Sequence, residues 1–477
     1  MALLRGLAAT VILLWAHATC AAPGLPAPVL KALQAADIPT SSIGAVIMEP
    51  GGRVLMEVNA DASLNPASAM KLVTTYAALE LLGPAYTWRT EVHAGGKVAP
   101  YGRLEGDLFL RGSGDPKLTM ESLWMLLRDV RARGIRDITG DLVLDRSAFA
   151  IQDIDPGAFD GDPTRPYNVG PDATLLNFNA MRLTFVPDLA AGVVRIYPEP
   201  PLADVRIENT LTLGNGPCDA WPEKPAVDLV TFGLAFSGAY PVACGEKVKH
   251  FSVLPPVEYA RALFEHLWRG VGGSFSGRVR QGQVPAASQP IASIESPPLV
   301  DVVRDINKNS NNVMARQVFL ALGVRAGQPA TLEGSQAAVA TWLRTKGFAP
   351  EDVVLENGAG LSRNERIKPR TLATLLAAAW RSPLGPELAA SLPLAGIDGT
   401  LKRRFTTSPA LGRAHLKTGY LSNVRAMAGY VHGPDGRTLV LVSIINHPKA
   451  QQAAAVSEAL VEWALTRSER PGCCGAR

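Results

Sequence analysis

Histidine is scarce in this chain. Seven copies occur in 477 residues, none in an H-E-x-x-H or a mixed Cys/His ligand spacing. No zinc-hydrolase pattern is therefore present, and neither a metal nor any other cofactor is expected. There is no G-x-S-x-G, which removes the nucleophile elbow of an α/β-hydrolase esterase. Lysine and arginine form no run longer than Lys402-Arg403-Arg404, and the formal net charge is only +4. Nucleic-acid binding consequently has no support. Charged residues make up 19% of the chain against 47% hydrophobic, the balance of a globular protein. Past the first 22 residues no apolar stretch is long enough to span a bilayer, and no internal repeat stands out.

The first 22 residues read as a secretory leader. Arg5 supplies the charged start, Leu7 to Trp15 the apolar centre, and Ala18 to Ala22 small residues for cleavage. Cys20 follows His17-Ala18-Thr19, a poor context for lipidation. The mature chain is thus expected to be exported, without a transmembrane anchor. Cys218 and Cys244 then lie in a compartment that permits disulfides and are candidate partners for one. Cys473 and Cys474 are neighbours in a polar tail, residues 469–477, where direct pairing is strained. A chain of this length is expected to hold two or three domains.

Against this background stand three short words in a fixed order: Ser68-Ala69-Met70-Lys71, Ser310-Asn311-Asn312 and Lys417-Thr418-Gly419. S-x-x-K and K-T-G each occur once, whereas S-x-N also occurs at Ser63-Leu64-Asn65 and Ser362-Arg363-Asn364. Any one word is weak. Ser68 alone reads as a helix N-cap, Ser310 as a loop or cap residue, and Lys417 as an edge-strand lysine. Together they supply a nucleophile with its base, a proton relay and an anchor for a carboxylate. The local patterns agree. Leu72, Tyr76, Leu79 and Leu82 predict a helix ended by Gly83-Pro84. Ser68 and Lys71 then share one face of its first turn. Val313 to Leu322 predicts a helix after Ser310. Lys417 sits in an antiparallel meander with Met427 to Val431 and Thr438 to Ile445, turned by Pro434-Asp435-Gly436. Gly419 is expected to leave room for a ligand backbone.

With these words in place, the chain resembles the class C low-molecular-mass penicillin-binding proteins. These are D-alanyl-D-alanine carboxypeptidase/endopeptidases of the penicillin-binding protein 4 type. The likeness extends to Gly112-Ser113-Gly114-Asp115-Pro116, Leu175 to Asn179, Gly358 to Arg363 and Leu392 to Leu401. Ala359 departs from the frequent serine of that pattern, and Asn311 from a frequent aspartate. The resemblance implies an α/β (α+β) fold of the penicillin-binding/β-lactamase-like transpeptidase kind. Its antiparallel sheet is flanked by helices, with two mainly-β domains inserted. Ser310 follows Ser68 by 242 residues, a gap that a compact β-lactamase fold has no room for. The expected division is a catalytic domain at 23–92 and 288–468, inserted domain II at 93–168 and 258–287, and inserted domain III at 169–257. Within the catalytic part, Ile43 to Met48 and Val54 to Val58 predict a hairpin in the Lys417 sheet. Gln451 to Arg467 predicts a helix packed on that sheet, and Leu372 to Trp380 a helix of the part that carries Ser310. Ser122 to Arg133 and Pro256 to Trp268 are the clearest helices of the insert.

The same resemblance implies roles. Ser68 would be the nucleophile, Lys71 its base, and Ser310 and Asn312 the proton relay and its support. Lys417 and Thr418 would bind the substrate carboxylate. The backbone N–H groups of Ser68 and Tyr420 would form the oxyanion hole. Asp115 and Arg363 would recognise the diamino acid of the stem, with Gly419 also lining the substrate site. The implied partners are peptidoglycan stem peptides and β-lactams, and the implied location is periplasmic, soluble or loosely membrane-associated. The rival readings are a β-lactamase-like hydrolase and a non-catalytic cell-wall binding protein.

Overall fold

The computed structural model describes residues 24–152, 154–218, 226–228, 231–324 and 328–468. The leader and the tail that carries Cys473 and Cys474 lie outside the described residues. Among these residues no helix is long and apolar enough to cross a membrane.

One five-stranded antiparallel sheet gathers both ends of the chain. Its strands are β1 (Ile43–Met48), β2 (Val54–Val58), β3 (Ala414–Leu421), β4 (Val424–His432) and β5 (Thr438–Asn446). Their order across the sheet is β2-β1-β5-β4-β3. β1 thus pairs with the last strand, Ile43 opposite Ile445, and Lys417 lies on the edge strand opposite Ala428. Successive side chains of a strand point to opposite faces, and here both faces are covered. Leu439, Leu441 and Ile445 of β5 join Val29, Leu33, Val456 and Leu460 from the helices Ala27–Ala35 and Ala454–Ser468. Val440, Val442 and Ile444 face a helical layer instead. That double burial explains why these strands read as continuous apolar runs rather than as an alternation.

The helical layer is built around Lys71–Leu81, which packs on Leu299–Asn309, Asn312–Ala321 and Leu332–Thr345. Tyr76 meets Trp342 edge to face at 5.4 Å, and Trp342 donates its indole N–H to Glu80 at 2.8 Å. Burying Tyr76, Leu72, Val73 and Leu79 on this central helix excludes water from the lysine at its start.

The chain leaves this unit at Trp88 and returns at Ser296. The two crossings are fastened by Trp88 N–H to Ser296 Oγ (3.0 Å) and Ser296 N–H to the Trp88 carbonyl (2.9 Å). Between them, Arg89–Ala94 and Pro290–Glu295 pair as neighbours in a second five-stranded sheet. The helices Met120–Ala132 and Pro256–Gly270 pack against it. A six-stranded sheet follows, formed from residues 181–251, with Arg206–Gly214 parallel to Gly233–Pro241. Cys218 and Cys244 form a disulfide beside it. One apolar core runs through the second and third sheets.

The inserted part returns to touch the helical layer. Gln317 accepts the Asp172 N–H at 3.0 Å and donates to the Asp172 carbonyl at 2.7 Å. Arg316 donates to the Val169 carbonyl at 2.7 Å. In the stretch just before, Phe159, Asp160, Arg165, Pro166 and Tyr167 line the cleft described next.

Candidate active site

Ser68 does not begin an α-helix as the periodicity predicts. It sits in a 3₁₀ turn, Ala67–Met70, that leads into Lys71–Leu81. The cause is local. Ala67 has φ +46°, a left-handed conformation that costs a side-chain-bearing residue about 1–3 kcal/mol. It is held there by its neighbours. Asn65 Oδ1 accepts the Ala67 N–H at 2.8 Å, and Asn65 Nδ2 donates to the Ser362 carbonyl at 2.9 Å. Gly360 presses on the other side, where a Cβ would run into the Ala67 carbonyl oxygen. The first S-x-N word therefore serves the Ser68 turn structurally.

Lys71 lies at the start of the buried helix and is fully buried. Its Nζ reaches Ser68 Oγ at 2.9 Å, Asn312 Oδ1 at 2.6 Å and the Ala359 carbonyl. Burial holds its ammonium well below the usual lysine range. The charges of Lys417 and Arg316 add to that, and Glu365 acts in the opposite sense.

Ser310 closes the helix Leu299–Asn309 with φ +56°, and Asn311 caps the next helix by accepting the Met314 N–H at 3.0 Å. This αL corner turns Ser310 toward the sheet, where its Oγ meets Lys417 Nζ at 2.8 Å. The next helix begins with Asn312, which faces Lys71. Lys417 is fully buried, donates to the Thr418 carbonyl at 2.8 Å, and is pushed by burial down to about 7. The three words thus meet as two linked pairs, Ser68 with Lys71 and Ser310 with Lys417.

Gly419 is explained by a contact within the protein. A Cβ at Gly419 would strike the Pro66 carbonyl oxygen and lie 3.2 Å from Ala67 Cβ. Its bareness thus serves the approach of β3 to the Ser68 turn, a demand within the protein itself. This approach brings the Tyr420 and Ser68 positions to the wall of a common cleft of about 1130 Å³, which Ser310, Asn312, Arg363, Thr400 and Thr418 also line.

Arg363 stands at the rim, its guanidinium 4.5 Å over the Phe159 ring and 3.3 Å from Ser422 Oγ. Asp115 is not brought there. It is buried, its Oδ1 caps the Lys117 N–H at 2.7 Å, and burial pushes it up to about 6. It is a turn residue, as its place before Pro116 allows. Two acidic residues do line the cleft, Asp305 and Asp160, and Asp160 accepts from Tyr167 (2.7 Å), Arg165 (3.0 Å) and Asn168 (2.8 Å). Burial would raise its carboxyl, but those bonds outweigh it and hold it below the ordinary value. Sequence reasoning missed Asp160, because a D-x-D in a polar stretch carries no periodic signal.

Glu365 was missed as well. It is fully buried, and its Oε1 accepts N–H groups from Glu356, Asn357 and Gly358 at 2.9–3.0 Å. Its Oε2 has no hydrogen-bond partner, and burial raises its carboxyl overall. The loop it gathers carries the Gly358 carbonyl that takes Thr74 (2.6 Å) and the Ala359 carbonyl that takes Lys71. Among the described residues no cluster of His, Cys, Asp or Glu is arranged to hold a metal.

Known proteins resemble the chain in sequence and in fold. The family model described as D-Ala-D-Ala carboxypeptidase 3 (S13) matches residues 25–467. A D-alanyl-D-alanine carboxypeptidase, DacB, of Haemophilus influenzae is 27% identical over 405 residues, covering 83% of each chain. A D-alanyl-D-alanine carboxypeptidase of Actinomadura sp. is 29% identical over 439 residues, 87% of this chain and 80% of that one. The crystal structure of penicillin binding protein 4 from Haemophilus influenzae superposes with a TM-score of 0.74 at 25% identity, covering 91% of this chain and 99% of that one. The same protein complexed with a β-lactam gives 0.69.

Proposed function

The chain belongs to the D-Ala-D-Ala carboxypeptidase 3 (S13) family, and from that premise we propose how its own residues carry out a serine carboxypeptidase or endopeptidase reaction. The substrate is a peptidoglycan stem peptide ending in D-Ala-D-Ala, or a cross-bridge between stems, and β-lactams enter as acyl donors of the same shape. The observation that carries the reading is Lys71 Nζ, 2.9 Å from Ser68 Oγ with two further partners. A neutral amine has two N–H bonds and one lone pair. The Asn312 Oδ1 and Ala359 carbonyl acceptors take the two N–H bonds, which leaves the lone pair for the Ser68 hydroxyl proton. Burial favours that neutral form.

Ser68 Oγ then adds to the penultimate carbonyl as its proton passes to Lys71. The oxyanion is met by the Ser68 and Tyr420 N–H groups, where loss of one such donor costs about 2.7–4 kcal/mol. Ser310, bonded to Lys417, gives its proton to the departing amine and regains one from Lys71, so that the proton taken from Ser68 ends on the leaving group. The C–N bond breaks and terminal D-Ala leaves, its carboxylate having been held by Lys417 and Thr418. Water hydrolyses the ester on Ser68. Arg363 and Asp160 stand where the stem's diamino acid would lie.

In domain terms we take the residues up to 88 with 296–468 as catalytic, which moves the sequence boundaries at 92 and 288 to the Trp88–Ser296 crossing, and the stretch between as two insertions, the second at 169–257. The leader-like first 22 residues support export to the periplasm. The test is a time course with a fluorescent penicillin on the parent and on Ser68→Ala. Label on the parent alone, stable for many minutes, is the expected result. Label that persists on Ser68→Ala sinks the mechanism, and rapid loss of label with drug hydrolysis favours a β-lactamase.

A further inference from the structure

One piece of the cleft wall belongs to none of the three motifs, the turn Asp398-Gly399-Thr400. It is fastened from two sides. Lys308 Nζ donates to Asp398 Oδ2 at 2.6 Å, and the Leu394 N–H donates to Asp398 Oδ1 at 2.8 Å. Gly399 has φ +56°, and a Cβ there would stand 2.6 Å from the Lys308 carbonyl oxygen. Only glycine permits both the conformation and the approach. The turn therefore lies against the end of the helix that delivers Ser310. Leu394, just upstream, bridges to His415 on β3, two residues before Lys417. A strap thus ties the Ser310 corner to the Lys417 strand, and Thr400 is its exposed tip.

Thr400 lines the cleft beside Ser310, and its Oγ1 lies 2.8 Å from Thr418 Oγ1. The strand itself presents one short hydroxyl at this point. The next residue on the Thr418 face is Tyr420, whose ring is exposed with the Arg425 guanidinium 6.0 Å from its centroid. Two hydroxyls side by side, with the Lys417 side chain on the adjacent residue, match an acceptor-only carboxylate with two oxygens. We propose that Thr400 is a substrate-binding residue whose hydroxyl donates to the terminal carboxylate of the acyl donor, alongside Thr418. This rests on the acyl-enzyme reading above and adds to it a carboxylate contact from outside the three motifs.

The competing role is a plain tie between turn and strand, and one pair of reagents separates the two. Benzylpenicillin carries a carboxylate, and its methyl ester does not. Second-order rates of Ser68 acylation are measured with both reagents on the parent, Thr400→Val and Thr400→Ser. The expected result for Thr400→Val is a loss of roughly 10- to 100-fold with benzylpenicillin, the size of a hydrogen bond to a charged group, and under about threefold with the ester. Thr400→Ser restores the benzylpenicillin rate to within about threefold of the parent. Equal losses on both reagents, or no loss on benzylpenicillin, overturn the assignment. If Thr400→Val does not fold, the serine variant and Thr400→Ala are compared on the same two reagents. A parent that takes no label overturns the acyl-enzyme reading itself, and this assignment with it.

Discussion

At the scale of single residues, the two buried lysines set the pH behaviour. Lys417 is held to about 7 in the folded protein, against an ordinary 10.5. Between those values the unfolded chain binds a proton that the folded one does not. Stability therefore climbs as pH rises from 7 toward 10 and is lowest below 7. Lys417→Met should flatten that climb and raise the melting midpoint near pH 6.5 by at least about 2 °C; thermal melts from pH 6 to 10 check this. Catalysis carries the opposite limb. In the proposed mechanism a charged Lys417 serves carboxylate binding and is lost above about 7, whereas a deprotonated Lys71 serves acylation. The acylation rate with benzylpenicillin should fall on the alkaline side, and the rate with its methyl ester should not. The motif residues were legible because few side chains perform this chemistry, and their order is itself a signature. Asp160, Glu365 and Thr400 were not, because each matters through a neighbour that only the fold brings close. Asp115 shows the converse: a likeness of sequence placed it at the site, while burial and the Lys117 N–H make it a turn residue.

Elements were read well where a period repeats. The hairpin at Ile43–Met48 and Val54–Val58 and the strand ending at Asn446 match the alternation and β-branching of their sequences. So do the helices Pro369–Arg381 and Asn312–Ala321. The element that escaped is the turn beneath Ser68, because its left-handed Ala67 depends on Asn65, Gly360 and Gly419 closing around it. These contacts give a sharp expectation. Gly419→Ala forces a Cβ into the Pro66 carbonyl and should slow penicillin acylation by tenfold or more, with a stability loss of about 1–3 kcal/mol. Glu365→Ala leaves the N–H groups of Glu356, Asn357 and Gly358 without their acceptor. It should destabilise by roughly 2–4 kcal/mol and slow acylation, as the loop carrying the Ala359 carbonyl loosens. Denaturant melts and labelling rates on the same preparations check both.

Over the whole molecule, length and the gap between motifs announced an insertion, but they could not say how it docks. The docking groups, Gln317 with Asp172 and Arg316 with Val169, are polar residues without a sequence pattern. The Cys218–Cys244 bridge lies beside the six-stranded sheet, and neither cysteine lines the cleft. Replacing both by serine should cost about 3 kcal/mol in the inserted part, from loop closure, while the penicillin acylation rate stays within about twofold. A melt with a separate labelling assay tests the two halves of that statement. The pairing of β1 with β5 has a further consequence, for timing. As the chain is made, Ser68 appears early, but the strand that seats β1 comes almost last. No partial chain ending before β5 can hold Ser68, Ser310 and Lys417 in register. The site is therefore assembled only once synthesis of the chain is nearly finished.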